Sequence, residues 1–316
     1  MTEPSPSTPA VSRRATLGAV LRVVTAGACW ALAAVIAKTA FDRGVPPSRM
    51  AEARVVVAFV VLCLILVIRR RDLFRATRGT LPAVAAFGVC VALVNGAYYV
   101  AIDRVKVGVA LSLQYTGPVL LLGLAAITGS RRPGRAAWVA GGLTLAGAVL
   151  VSQALRGFGH LDSLGLVAGA ASAFFFAGYL ITAEIAGRRG SDPATTLVWG
   201  FVFAMAAWGL VAPWWSWPVA KLADVHVALA VLAVGIVGTL LPFFLAVGAV
   251  RILSPATAGI AATVEPPFAV AFAWIFLGQH LTPLQLVGGA LVLAGVVLAQ
   301  REHVAGAGAL SLEVAP

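Results

Sequence analysis

Apolar stretches of about 20 residues recur all along this 316-residue chain, and they restrict its fold severely. That is the length needed to cross roughly 30 Å of hydrocarbon as a helix. They fall at 19–40, 50–68, 82–101, 107–128, 136–153, 163–186, 195–213, 226–249, 254–277 and 284–300. Pro46-Pro47, Pro133, Pro193, Pro213 and Pro283 punctuate the joints. The chain is 60% hydrophobic and only 11% charged, whereas a soluble domain is about a quarter charged. It has too little polar surface to cover itself in water. The expected class is an all-α integral membrane protein with ten transmembrane helices.

Those helices fall into two related sets. Residues 101–153 align with 249–301 without a gap. Pro118 falls on Pro266, Gly141 on Gly289, and Leu145-Ala146-Gly147 on Leu293-Ala294-Gly295, always 148 residues apart. With five spans per repeat, an odd number, the second copy must insert upside down. Inverted repeats of this kind build secondary transporters, with the substrate site near the midplane at the repeat interface. The expected organisation is a disordered cytoplasmic N-terminus over 1–18, repeats over 19–153 and 163–300, and a cytoplasmic tail over 301–316.

The net charge of +11 sits in short loops between apolar runs, so it speaks for topology and anionic lipid rather than nucleic acid. With the N-terminus inside, the inner loops carry roughly twice as many Lys and Arg as the outer ones, which places both termini in the cytoplasm. The repeat bears on this. Arg131, Arg132 and Arg135 stand in a loop whose mate carries Gln279, His280 and Pro283, as expected if the first faces in and the second out. The bias of 20 Arg against 3 Lys points to a GC-rich bacterial genome and so to the inner membrane. Cys29, Cys63 and Cys90 are unclustered within apolar segments and suggest neither disulfide nor metal.

Polar groups at membrane depth carry the functional signal, because a central charge costs about 2.5–3.5 kcal/mol even on a lenient scale. Glu265 lies about eleven residues into its helix, roughly 16 Å deep. Pro266 and Pro267 follow it, each removing a backbone donor. A carboxylate beside broken backbone can bind an ammonium group or carry a proton; the plainer alternative is a buried Glu paired for packing. Its mate is Gly117-Pro118, and Gly117, Pro118, Pro266 and Pro267 are hinge candidates. Trp30, Asn95, Tyr98, Tyr99, Gln114, Tyr115, Tyr179 and Thr263 are candidates for lining a substrate cavity, since a small-molecule site needs aromatic walls and a few hydrogen-bonding groups. Trp199, Trp208, Trp214, Trp215 and Trp217 read as interface anchors. Lys38 and Arg54 are explained by snorkelling, and Arg49 with Glu52 has the spacing of an ion pair. No HExxH, Walker A, CxxC or GxSxG motif is present, which argues against an enzyme and leaves a gradient to drive any transport. No cofactor is expected.

Taken together, these residues resemble the drug/metabolite transporter superfamily, specifically EamA-type ten-helix transporters. The strongest stretch is Ala258 through Ala299, with Val264-Glu265-Pro266, Leu277-Gly278, Leu286-Val287-Gly288-Gly289 and Leu293-Ala294-Gly295. Trp30, Lys38 and Arg54 also sit where the family pattern has them. One departure is Gln279, with mate Arg131, where the family often has Glu after Leu-Gly. The resemblance implies export of amino acids or related small metabolites, often proton-coupled, by alternating access. Protons are then a partner beside the small-molecule substrate and membrane lipid. Uptake or exchange, efflux of foreign compounds, and a non-transporting scaffold are the alternatives. The scaffold would need a sizeable soluble domain or long tail.

Overall fold

The computed structural model describes residues 13–105, 107–129, 133–157, 162–211, 213, 216–278, 280 and 282–312. Among these, nine helical crossings are long and apolar enough to span a bilayer, and a shorter apolar helix of 17 residues supplies the tenth. The crossings are α1 (Arg13–Phe41), α2 (Pro47–Arg69), α3 (Leu81–Arg104), α4 (Val107–Gln114) continued by α5 (Gly117–Thr128), and α6 (Arg135–Val151). There follow α7 (Ser163–Arg188), α8 (Pro193–Val211), α9 (Val225–Gly235) continued by α10 (Leu241–Ala249), α11 (Pro255–Ala262) continued by α12 (Glu265–Leu277), and α13 (Pro283–Leu312). Two boundaries differ from the sequence expectation. Helix α1 already begins at Arg13, and α13 runs past Arg301 to Leu312.

The two repeats break their helices at matching places. The fourth crossing is interrupted at Tyr115-Thr116 and the ninth at Thr263-Val264, positions 148 residues apart. Each break precedes proline. Pro118, Pro266 and Pro267 have no N–H to continue the ladder. The chain tightens there instead, with Thr116 N bonding Leu113 O at 3.0 Å and Thr263 N bonding Ile260 O at 3.2 Å.

The inverted relation is visible where α6 packs on α13. Gly147 corresponds to Gly295 and Ala140 to Gly288. A methyl placed on Gly147 would lie 2.6 Å from Gly288 O, and one on Gly295 would lie 2.8 Å from Ala140 O. Each contact is thus the image of the other under a two-fold exchange of the helices. Backbone approach this close needs glycine, the usual device of helix packing in lipid.

Size is distributed as a bilayer requires. Ala26, Ala31, Ala40, Ala58, Ala110, Ala140 and Ala148 are fully buried, while Ile68, Ile127, Val167, Phe174 and Leu210 project outward. Without hydrophobic drive between helices in lipid, close van der Waals contact between small residues does the packing. The face where α1 begins and α13 ends is called the terminal face below. Loops tie the bundle together at both faces. Toward the terminal face, Thr195 Oγ1 donates to Leu73 O at 2.7 Å and Trp199 Nε1 to Phe74 O at 2.9 Å. On the opposite face Trp217 Nε1 donates to Arg49 O at 2.9 Å and Arg49 Nη2 to Ser216 Oγ at 2.7 Å. The Arg49–Glu52 ion pair expected from spacing is formed at 2.9 Å.

Candidate functional site

The central feature is a cavity of about 430 Å³, within the size range of small-molecule sites. Helices α1 to α4 meet it with Trp30, Ala37, Phe41, Pro47, Met50, Arg54, Asn95, Tyr98 and Gln114. All of these come from the helix halves away from the terminal face. The floor is built from Phe176, Tyr179, Phe243 and Glu265, at or just past mid-membrane.

Glu265 sits at the floor because the ninth crossing breaks immediately before it. Tyr115, from the matching break in the fourth crossing, donates its hydroxyl to Glu265 Oε2 at 2.7 Å. The two breaks are therefore joined at mid-membrane by a single hydrogen bond. The second carboxylate oxygen, Oε1, has no hydrogen bond among the described residues and is not sealed from the cavity.

Below the floor lies a plug of aromatic rings. Phe243 makes edge contacts with Trp30 (5.6 Å between centroids), Tyr179 (5.8 Å), Phe201 (6.3 Å) and Phe87 (6.4 Å). Phe87 and Phe201 are wholly buried. Edge-to-face pairs each add about 0.5–1.5 kcal/mol beyond area burial, so the plug is well held. The cavity is closed toward the terminal face by this cluster.

Most of the cavity candidates come together. Trp30, Asn95, Tyr98, Gln114 and Tyr179 all line the wall. Tyr115 does not: it is buried behind the wall and reaches the site through Glu265. Thr263 does not either. It is completely buried and its hydroxyl bonds Ile260 O of its own helix at 2.6 Å, satisfying a carbonyl at the break. The side chain of Tyr99 lies outside the described residues, as do Arg131 and Gln279. Trp208, expected at the interface, is buried beside Gly96.

Arg54 was misread from the sequence. It does not snorkel. Its Nε donates to Thr239 Oγ1 at 2.7 Å and its Nη2 to Gly238 O. Those acceptors lie in a π-helical turn, Ile236–Leu240, between α9 and α10. Pro242 explains the turn: it has no N–H for the Gly238 carbonyl four residues back, and Arg54 supplies the missing donor. One sequence signal was available: Pro242 announces a freed carbonyl. The depth of Arg54, about 10 Å into α2, shows only once the helix is seen to start at Pro47 rather than at residue 50. Phe176 and Phe243 were missed altogether, since apolar rings in apolar helices give no signal.

A bundle of ten crossings in two inverted repeats, with a wet-sized cavity ending at a mid-membrane carboxylate, defines a membrane transporter of small molecules. The comparisons with known proteins agree. The model of the EamA-like transporter family matches residues 17–153 and 163–300, and the chain belongs to that family. The threonine/homoserine exporter RhtA of Escherichia coli (strain K12) is 30% identical over 216 residues, 66% of this chain and 68% of that protein. An uncharacterized transporter of Archaeoglobus fulgidus is 28% identical over 240 residues, 73% of this chain and 80% of that one. A solved crystal structure superposes with a TM-score of 0.71 at 20% identity, covering 89% of this chain and 96% of the other, which supports the fold. The protein is a multi-pass membrane transporter of small metabolites, not an enzyme.

Proposed function

We propose that the protein exports small amino acids, of the threonine and homoserine kind, across a bacterial inner membrane by alternating access. The reading rests on one observation above all: a cavity that ends at Glu265, between the matching helix breaks of the two repeats, and is lined mostly from the helix halves away from the terminal face. The names of the similar exporters support the direction, and the positive-inside charge pattern supports the orientation. The terminal face is then cytoplasmic, and the cavity belongs to the outward-facing state.

In that state substrate leaves and a proton takes its place on Glu265. Proton and substrate ammonium compete for one carboxylate, so binding of either releases the other. The breaks at Tyr115-Thr116 and Thr263-Val264, just ahead of Gly117-Pro118 and Glu265-Pro266-Pro267, act as hinges, because proline leaves both helices without a continuous ladder there. Rocking the halves closes the outer mouth and parts the aromatic plug.

Export is tested by overexpressing the chain and comparing culture supernatants with an empty-vector control by mass spectrometry. One small amino acid should accumulate outside several-fold. Matching supernatants would favour uptake or foreign-compound efflux instead. The plug makes its own prediction. Phe243→Ala removes the ring that four others touch, at a cost of about 3–5 kcal/mol. Proteoliposomes preloaded with the substrate should leak it several-fold faster without any gradient. Lower stability with no added leak would remove the plug from the gating scheme.

A further inference from the structure

The cavity lining holds one basic and one acidic side chain, Arg54 and Glu265, and the two make no ion-pair contact with each other. Arg54 has no carboxylate within ion-pair distance among the described residues; its partners are a hydroxyl and a carbonyl. Those two bonds use Nε and Nη2. Nη1 makes no hydrogen bond among the described residues, and Arg54 lines the cavity. Glu265 likewise makes no ion pair among the described residues, Arg54 acting on it only through space, and its Oε1 makes no hydrogen bond there although the side chain lines the cavity. A third group points the same way. Gln114 Oε1 is a buried acceptor with no donor among the described residues, and Gln114 also lines the cavity. The floor thus offers an acceptor in Glu265 Oε1, the α4 wall an unmatched acceptor in Gln114 Oε1, and the α2 wall a guanidinium whose Nη1 is unbonded.

We infer that the cavity binds its substrate as a zwitterion, the carboxylate on Arg54 and the ammonium on Glu265 and Gln114. The inference rests on the amino-acid reading above and assigns its poles. An ammonium has three donors and no acceptor, which suits one acceptor on the floor and one in the adjoining wall. A carboxylate suits the planar fork of arginine. A ligand bearing only one charge would leave the opposite wall charge desolvated and unpaired, a costly state. A ligand bearing both charges satisfies both walls. The site therefore discriminates against amino-acid esters, N-acylated amino acids, simple amines and simple carboxylates. Arg54 acts on the substrate through the same guanidinium that completes the π turn. Binding at the carboxylate end is consequently coupled to the α9–α10 junction.

The test is a matrix of ligands against variants, measured by calorimetry on the purified full-length protein. The ligands are L-threonine, its methyl ester and N-acetyl-L-threonine. The wild type should bind L-threonine on the order of 10- to 100-fold more tightly than either derivative, the weight of one charge-assisted hydrogen-bonded contact. Arg54→Met should weaken L-threonine to the level of the ester without weakening the ester itself. Glu265→Gln should weaken L-threonine to the level of the N-acetyl compound and leave that compound as it was. Unchanged binding of the matching derivative also shows that each variant is folded. If Arg54→Met is too unstable to purify, Arg54→Lys keeps the charge but loses the fork, and should weaken L-threonine several-fold while sparing the ester. A wild type that binds L-threonine and its ester equally, or an Arg54 variant that loses both equally, overturns the assignment of poles and leaves amino-acid transport standing. A wild type that binds no amino acid overturns both.

Discussion

Glu265→Gln is expected to lower transport by about 10- to 100-fold and to leave the residual flux insensitive to pH. The substitution keeps size and shape, and the amide oxygen can still accept the Tyr115 hydroxyl that bonds Glu265 at 2.7 Å. The link between the two helix breaks is therefore preserved, and the bundle should fold. What is lost is the negative charge on the cavity floor. A hydrogen bond to a charged group contributes about 1.5–3 kcal/mol, which converts to the stated range at about 1.4 kcal/mol per tenfold. The amide also cannot bind and release a proton, so a cycle that alternates proton and ammonium on this residue stalls. Transport assayed in proteoliposomes between about pH 6 and 8 decides the matter. Normal flux with the wild-type pH profile would show that Glu265 is a packing residue. Tyr115→Phe is the milder companion. It removes one donor from the carboxylate but keeps the ring against Phe176, and should cost about tenfold.

Gly147→Val and Gly288→Val are expected to destabilise the protein severely and by similar amounts. An added Cβ on Gly147 meets Gly288 O at 2.6 Å, and one on Gly288 meets Gly147 O at 2.8 Å. The obstructing atoms are backbone, so no side-chain rotation can relieve the clash. Overpacking a core costs about 1–3 kcal/mol where side chains can adjust. Here α6 and α13 must separate, and a loss of about 3 kcal/mol or more is expected. Thermal unfolding in detergent should show it as a clear fall in Tm. Gly142→Ala provides the contrast on the same helix, because nothing lies within 4 Å of its added Cβ. Equal tolerance of all three substitutions would refute the close packing of α6 on α13, and with it the clearest packing evidence for the two-fold relation.

Much of this site was legible because polar residues are conspicuous in apolar helices. Glu265 stood out through the cost of burying a carboxylate, and its prolines marked the break that sets it at the floor. Trp30, Asn95, Tyr98, Gln114 and Tyr179 were readable as polar or aromatic groups at depth, and all five reach the cavity. Thr263 was equally conspicuous and misled, since a hydroxyl can satisfy a carbonyl of its own helix as readily as it can face a ligand. Arg54 was passed over because a long cation near a helix end has a second explanation, snorkelling, and only its partners in the π turn exclude it.

The sequence by itself determined the number of crossings, their inverted order and the prolines beside which two of them break. Apolar length, a 148-residue offset and proline chemistry are local or periodic properties, and they need no partner to be read. Only the tertiary structure decided which side of each helix faces the cavity. In a soluble protein that face is written as hydrophobic periodicity. In a bilayer the lipid is as apolar as the core, so Phe243 in the plug and Leu210 against lipid look alike in the sequence. The aromatic plug, the Arg54 bridge to α9–α10 and the joining of the two breaks through Tyr115 and Glu265 come from helix packing, which hydropathy alone does not record.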